Sequence, residues 1–353
     1  MSKNRQVTIV DIAEAAGVSI ATVSNVLNRR NVPMSEETIR KVEKAAEELG
    51  YRRNVMAANL SRRRSYELGL LVPSFGGYYG RFAEEMQRVA HEYGYHLSVF
   101  SAGGFNPDIE KRHLDLLLQR RVDGLVSHGL AMSKEATRTL VGDGTPLVLF
   151  NGWDWPEDLA LAAVNLDFAG GAEQAVAHLY EQGCRTMLYL SRPGSHAIDQ
   201  QRRIGFERAL SRLSDATSAI INIDGSRGME PLLEEALSVP RQDGAVGVVG
   251  FDDLVSVGFM SLLLEKGYHV PRDWKVVGIN NEPIARYSYP SLTSVDIPYH
   301  LQAGIVLRRM LYHLGETERL KQGSLAELPG DVSEEGHEVK IPLHLIPRLS
   351  SEI

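Results

Sequence analysis

At 353 residues the chain has room for a small head and one or two further domains, and its 43% hydrophobic and 24% charged content is that of a globular protein. The single cysteine, Cys184, excludes an intramolecular disulfide and a thiolate metal cluster, and no apolar run approaches the roughly 20 residues that span a bilayer. The net charge of −7 is uneven: residues 1–65 carry 12 Lys and Arg against 7 Asp and Glu, so a basic head suited to a polyanion precedes an acidic body.

The segment Met1 to Gln6 is too short and polar to begin a signal peptide, so a cytoplasmic protein with no membrane partner is expected. Next comes "TIVDIAEAAG", a short helix with Thr8 as cap, Asp11 in its first turn, Ile12, Ala13 and Ala16 as the buried edge and Gly17 as its stop. After Gly17-Val18-Ser19, "IATVSNVLN" forms a second helix with Val23, Val26 and Leu27 as its apolar stripe, and the pair reads as a helix-turn-helix. Its outward face holds Ile20, Ala21, Ser24 and Asn25 where a solvated helix would carry charge. Small groups of this kind fit base edges in a DNA major groove. A third helix begins at Ser35, packs Ile39, Val42, Ala46 and Leu49, and ends at Gly50. The segment from Arg52 to Ser65 adds five Arg and no acid.

From Leu68 onward short apolar runs alternate with amphipathic stretches: "LGLLVP", "HLSVFSA", "DGLVSHG" and "PLVLF", then "TMLYLS", "SAIINID", "AVGVVGF" and "KVVGIN". Strand and helix in alternation imply two Rossmann-like parallel sheets covered by helices. Ligands collect at the carboxyl ends of such strands, which here are followed by Ser74 and Phe75 with Tyr78 and Tyr79, by Ser101, by Asn151 to Asp154, by Asp252 and Asp253, and by Asn280 with Asn281. Polar groups with aromatic neighbours suit a hydroxyl-rich, carbohydrate-like ligand.

Nothing spells an enzyme. His91 and His96 in "HEYGYH" are five apart, which turns them about 140° from each other on a helix, and Gly94 marks a helix end. "RPGSHA" is not a nucleophile elbow, no phosphate-binding loop is present, and no cofactor is expected.

The motifs "VTIVDIAEAAGVSIATVSNVLN", "VEKAAEELGY" and "NVMAANL", followed in order by "RRVDGLV", "HLYEQG", "RRIGF", "VPRDWKVVG", "PSLTSV" and "PLHLIPRLSS", resemble the lactose-repressor (LacI/GalR) family over nearly the whole chain. The resemblance implies an all-α helix-turn-helix DNA-binding head with a hinge helix, joined to an α/β two-lobed body like that of periplasmic binding proteins. The domains expected are a head over 1–52, a hinge over 53–65, an N-terminal subdomain over 66–164 plus 297–327, and a C-terminal subdomain over 165–296 plus 328–353.

It also implies a homodimeric transcriptional repressor that binds double-stranded, pseudo-palindromic operator DNA and answers to a small metabolite, a sugar or sugar derivative, in the cleft between lobes. Ile20, Ala21, Ser24 and Asn25 would face bases, Thr8, Ser19, Thr22 and Asn28 would hold phosphates, and hinge residues Asn54, Ala57 and Leu60 would enter the minor groove, Leu60 as a wedge. Asn25 stands where the family often has Arg; Asn pairs with adenine and Ile20 meets a thymine methyl, so an A·T preference is expected there. Arg53 replaces the proline that usually precedes Asn54.

For the effector the resemblance favours Arg202, Asp252, Asn280, Asn151 and Tyr79. Alternatives stand beside each reading: Arg202 as the partner of an acid in its own lobe, Asp252 as a helix cap, Tyr79 as core filling, Trp153 and Trp155 as loop surface. Asn280 and Asn281 occupy positions where the family has an Asp pair, which disfavours a cationic effector. A regulator governed by a protein partner, with no small effector, is the second reading of function.

Overall fold

A computed structural model describes residues 7–27, 32–51, 64–104, 106–129, 134–142, 144–193, 196–223, 228–328 and 336–352. Asn28, Asn54, Ala57 and Leu60 lie outside the described residues. The chain divides into two compact units, Met1–Ser65 and Tyr66–Ile353.

The first unit holds α1 (Ile9–Ala16), α2 (Ile20–Leu27) and α3 (Glu36–Glu48). The Thr8 amide and hydroxyl both donate to the Asp11 carboxylate at 2.7 Å, closing the first turn of α1. That helix stops because Gly17 takes φ 65°, a left-handed conformation that glycine adopts without steric cost. The Val18 amide then reaches back to the Ala13 carbonyl at 3.1 Å, and the chain turns 107° from the axis of α1 to that of α2. Ser19 caps α2 by accepting the Thr22 amide at 3.1 Å, and Ser35 caps α3 by accepting the Thr38 amide at 3.2 Å.

Ile12, Ala13, Val23, Val26, Val42 and Ala45 form the core of this unit, with Ala16, Leu27, Ile39 and Ala46 partly buried around it. Leu49 departs from expectation. It is 39% exposed because it is the C-cap of α3, past the last full turn, and Ala45 takes the inner position. Gly17→Ala should destabilise this unit by about 1 kcal/mol through left-handed strain, read as faster amide exchange in 7–27 with the unfolding of Tyr66–Ile353 unchanged.

The second unit is built on two six-stranded sheets. One contains β1 (Glu67–Val72), β2 (His96–Ser101), β3 (Gly124–His128), β4 (Leu147–Phe150), β5 (Ala162–Leu166) and β11 (Glu338–Ile341), in the order β11-β5-β4-β3-β1-β2 with all neighbours parallel. The other contains β6 (Thr186–Ser191), β7 (Thr217–Asn222), β8 (Val246–Gly250), β9 (Trp274–Asn280), β10 (Thr293–Asp296) and β12 (His344–Ile346), in the order β12-β10-β9-β8-β6-β7. Only β12 runs antiparallel. Most of the strands are buried on both faces, as parallel strands between helical layers must be.

The chain passes between lobes three times. It leaves the first sheet after Leu166, returns after Asp296 through the helix Tyr299–His313, which packs on β4 and β5, and leaves again between Ile341 and His344. The last passage corrects the expectation of a crossing near Leu328. Val339 and Ile341 are buried and their strand pairs with β5 in register Val339↔Val164, so Glu338–Ile341 completes the first sheet before the chain crosses.

Candidate functional site

In each sheet the connections turn to opposite faces at one place, between β1 and β3 and between β6 and β8, and a crevice opens there beyond the carboxyl ends of the strands. Tyr79 follows β1 and His128 ends β3; their rings meet edge to face at 5.2 Å. His128 Nδ1 lies 2.9 Å from the Gly129 carbonyl, which can only accept, so the ring proton is on Nδ1 and Nε2 faces the Tyr79 hydroxyl at 3.5 Å. Burial lowers the His128 pKa to about 4, which keeps the imidazole neutral, and burial likewise raises the Tyr79 phenol, opposed by the charge of Arg202.

On the facing lobe Arg192 follows β6 and Phe251 and Asp252 follow β8. The Arg192 guanidinium lies 5.2 Å from the Phe251 ring centre and 3.7 Å from Asp252 Oδ2. Asp252 also caps the helix Asp253–Glu265, its Oδ1 accepting the Val255 amide at 2.8 Å, so the capping alternative describes one of its two oxygens.

Arg202 is placed by helix packing. The helices Phe168–Glu181 and His196–Leu210 approach so closely at Gly205 that a Cβ there would collide with the Ala169 carbonyl. One turn before Gly205, Arg202 therefore lies over the Phe168 ring at 4.5 Å, with the Phe251 ring also at 4.5 Å. It donates to the Phe251 carbonyl and, at 3.1 Å, to Asn280 Oδ1. It pairs with no acid among the described residues, contrary to the alternative of a salt bridge within its lobe. Asn280, buried at φ 113°, ends β9 with its amide aimed at the same guanidinium.

Asn151 must be withdrawn from the expected set. It is fully buried, its Nδ2 donates to the Tyr78 hydroxyl at 2.9 Å, and its Oδ1 accepts the Leu166 amide at 3.2 Å and Gln302 Nε2 at 3.3 Å. Three of the four hydrogen-bonding positions of its amide are taken and the side chain is covered, and the residue ties β4 to the start of the first passage. Asn281 is equally committed, to Asp296 at 2.7 Å and Arg348 at 2.6 Å. Trp153 is half-buried, 6.0 Å from the Phe168 ring, and Trp155 packs partly buried against the first lobe. Across the crevice Arg81 donates to the Asn281 carbonyl at 3.4 Å and lies 4.4 Å over the Tyr299 ring.

Arg192, His128, Phe168 and Phe251 were not singled out by sequence. The first two could have been: Arg192 follows β6 directly and His128 ends β3, the strands beside each switch point.

In the first unit Ile20 is 46% exposed and Ala21 is exposed, with Thr22, Ser24 and Asn25 half-exposed on the same helix. Thr8 and Ser19 lie at the exposed helix N-termini, where backbone amides also point outward.

Buried charge also shapes the acid response. Asp253 accepts the Glu282 amide at 2.6 Å and the Ser294 hydroxyl at 2.5 Å, and desolvation raises its pKa to about 7. The unfolded chain binds the extra proton at His128 between pH 4 and 6.5, so that residue makes stability rise with pH there. The folded chain holds the extra proton at Asp253, whose contribution is full below 3.8 and is lost as pH rises toward 7. The slopes oppose one another, so Asp253→Asn should gain about 3 kcal/mol relative to the parent on going from pH 4 to 6.5, measured by urea unfolding. Gly205→Val, by forcing the two helices apart, should cost about 1–3 kcal/mol of stability in the same assay.

Two family descriptions match the chain: bacterial regulatory proteins, lacI family, over residues 8–54, and periplasmic binding protein-like domain over 176–351. Catabolite control protein A of Staphylococcus epidermidis is 29% identical over 319 residues, covering 88% of this chain and 94% of that protein, and its counterpart in Staphylococcus xylosus is 27% identical with the same coverage. Among solved structures, the lac repressor dimer bound to operator and the anti-inducer ONPF superposes with a TM-score of 0.80 at 22% identity, covering 98% of this chain and 99% of that one. The complex of the transcriptional regulator CelR with cellobiose gives 0.64 at 23% identity, covering 98% and 100%.

Proposed function

The chain belongs to the lacI family of bacterial regulatory proteins, and we propose that it is a repressor that binds a pseudo-palindromic operator as a homodimer under the control of a sugar-like metabolite. Its relatives are transcriptional regulators, not enzymes. The observation that carries the reading is the outer face of α2, where a well-capped helix exposes Ile20 and Ala21 with Ser24 and Asn25 beside them. Water gives such a face no reason to exist; a major groove does. Thr8, Ser19, Thr22 and Asn28 then hold phosphates, and Asn54, Ala57 and Leu60 enter the minor groove. A repressor works where the DNA is, in the cytoplasm, and no single helix among the described residues is long and apolar enough to cross a membrane.

The second unit supplies the control. Tyr79 and His128 on one crevice oppose Arg202, Asp252 and Asn280 on the other, and polar groups with aromatic faces suit hydroxyls and a sugar ring. A lac repressor has been solved with operator and anti-inducer, and CelR with cellobiose, which supports an effector of this class here. A ligand with different affinities for two lobe arrangements shifts the equilibrium between them, and through the dimer the geometry of the heads.

Selection from random duplexes with the full chain tests the DNA reading. The enriched site should have dyad symmetry and A·T pairs where Ile20 and Asn25 read, and Asn25→Ala should weaken binding to it by about 1–3 kcal/mol. Enrichment of a site without a dyad, or of G·C pairs at those positions, contradicts it.

A further inference from the structure

Tyr66, the first residue of the second unit, takes φ 54°, a left-handed conformation that disfavours a bulky side chain. Such a residue persists only where its surroundings over-determine it, and Tyr66 is held at both its backbone and its ring. Its amide donates to Asp123 Oδ2 at 2.9 Å, and its carbonyl accepts the His96 amide at 2.9 Å. Asp123 is fixed in turn by its own amide, which donates to the Glu67 carbonyl at 2.8 Å. The ring lies 5.5 Å from that of Tyr95, and the Arg319 guanidinium lies 5.5 Å from its centre. Arg319 belongs to the connection between the helix Tyr299–His313 and β11, and that connection is pinned to the first lobe. Arg319 donates to the Tyr93 carbonyl at 3.4 Å and pairs with Glu316 at 3.4 Å; the Ser324 amide and hydroxyl donate to Glu92 at 2.8 and 2.9 Å, and the Leu325 amide donates to the Tyr93 hydroxyl at 2.8 Å. Tyr66, His96 and Asp123 stand at the amino ends of β1, β2 and β3, the edge of the sheet away from the crevice, so these contacts serve no part of the crevice. They hold the residue at which the chain enters the second unit from the basic first one.

We infer that Tyr66 is a positioning residue for operator binding: the clamp of Asp123, Tyr95 and Arg319 fixes the point and direction at which the chain leaves the second unit for the first. The inference rests on the reading of the chain as a dimeric operator-binding repressor and adds the place where the geometry of the body is handed to the heads. The two heads of a dimer reach two half-sites at once only when their chains leave the bodies at a set separation and direction. A residue that turned freely at position 66 would leave each head able to bind a half-site but would spread the distances between the heads. The anchored left-handed conformation removes that freedom. Because the amide and carbonyl of Tyr66 are bonded to the residue before β3 and to the first residue of β2, any rotation of the first lobe carries the exit of the chain with it.

The test uses the full chain, as the parent and as Tyr66→Phe, Tyr66→Gly and Arg319→Met. Affinity is measured for the duplex that selection enriches, for the same duplex with two base pairs added between its half-sites, and for a duplex with one half-site scrambled. Phenylalanine keeps the ring, whereas glycine accepts φ 54° and removes it. Arg319 is half-exposed at its side chain, so Arg319→Met leaves folding intact if Tyr66→Gly does not. The parent and Tyr66→Phe should lose about tenfold or more in affinity when the two base pairs are added. Tyr66→Gly and Arg319→Met should bind the selected duplex about tenfold less tightly than the parent and lose only about threefold or less on the added pairs, while all four proteins bind the single half-site alike. A loss of folded protein would instead weaken all three duplexes together, and that outcome overturns the inference. A spacing penalty in Tyr66→Gly and Arg319→Met equal to the parent's also overturns it and leaves the repressor reading in place. No duplex enriched by the parent overturns both.

Discussion

The helices Phe168–Glu181 and His196–Leu210 can meet at the Ala169 carbonyl only because Gly205 has no side chain there, and the C-terminal crevice is arranged around that approach. Bringing the two backbones together sets Arg202 over Phe168, the first residue of the helix after the first passage between lobes. The Phe251 ring closes on the other side and its carbonyl takes one guanidinium donor, so the end of β8 is held to the same side chain. Asn280 at the end of β9 takes another donor. One close backbone contact thereby fixes the ends of two strands and the start of the helix on which the lobes join.

The two lobes repeat one topology and use its switch points differently. In the first, the crevice carries Tyr79 against a neutral imidazole and offers hydrogen bonds without net charge. In the second, it carries two guanidinium groups, with the nearby carboxylates drawn off into caps and hydroxyl bonds. The turn after β9 links the halves: Asp253 and Ser294 hold its backbone, Asp296 and Arg348 hold Asn281, and Asn281 presents its carbonyl to Arg81 on the other lobe. A change in the spacing of the lobes alters the Arg81 contact at this turn, which the buried contacts make stiff.

How much was legible in the sequence depends on the range of the interaction. Thr8, Gly17, Ser19 and Ser35 act on their own neighbours, so helix starts and the stop at Gly17 could be read from residue type. The apolar runs likewise marked eight of the twelve described strands, while β5, β10, β11 and β12 were not singled out, and β11 and β12 pair with strands far away in sequence. Leu49 failed because a one-residue shift in the end of α3 moves a side chain from the inner face to the cap. Arg192 escaped notice because its role depends on a ring that arrives 59 residues later, at Phe251.

Asn151 and Arg202 show why residue type and place on a strand end do not by themselves identify a ligand group. Both are polar, buried and close to the passage between lobes. Asn151 has both ends of its amide satisfied by Tyr78, Leu166 and Gln302, so a ligand there would have to break hydrogen bonds that the fold already makes. Arg202 has an Nε–H without a partner, and the charges of Asp252 and Asp199 oppose the burial of its guanidinium, so a hydrogen-bond acceptor there would add an interaction and remove none. Satisfaction of hydrogen bonds and charge separates a residue that holds the protein together from one that the protein holds ready, and that distinction exists only once the chain is folded.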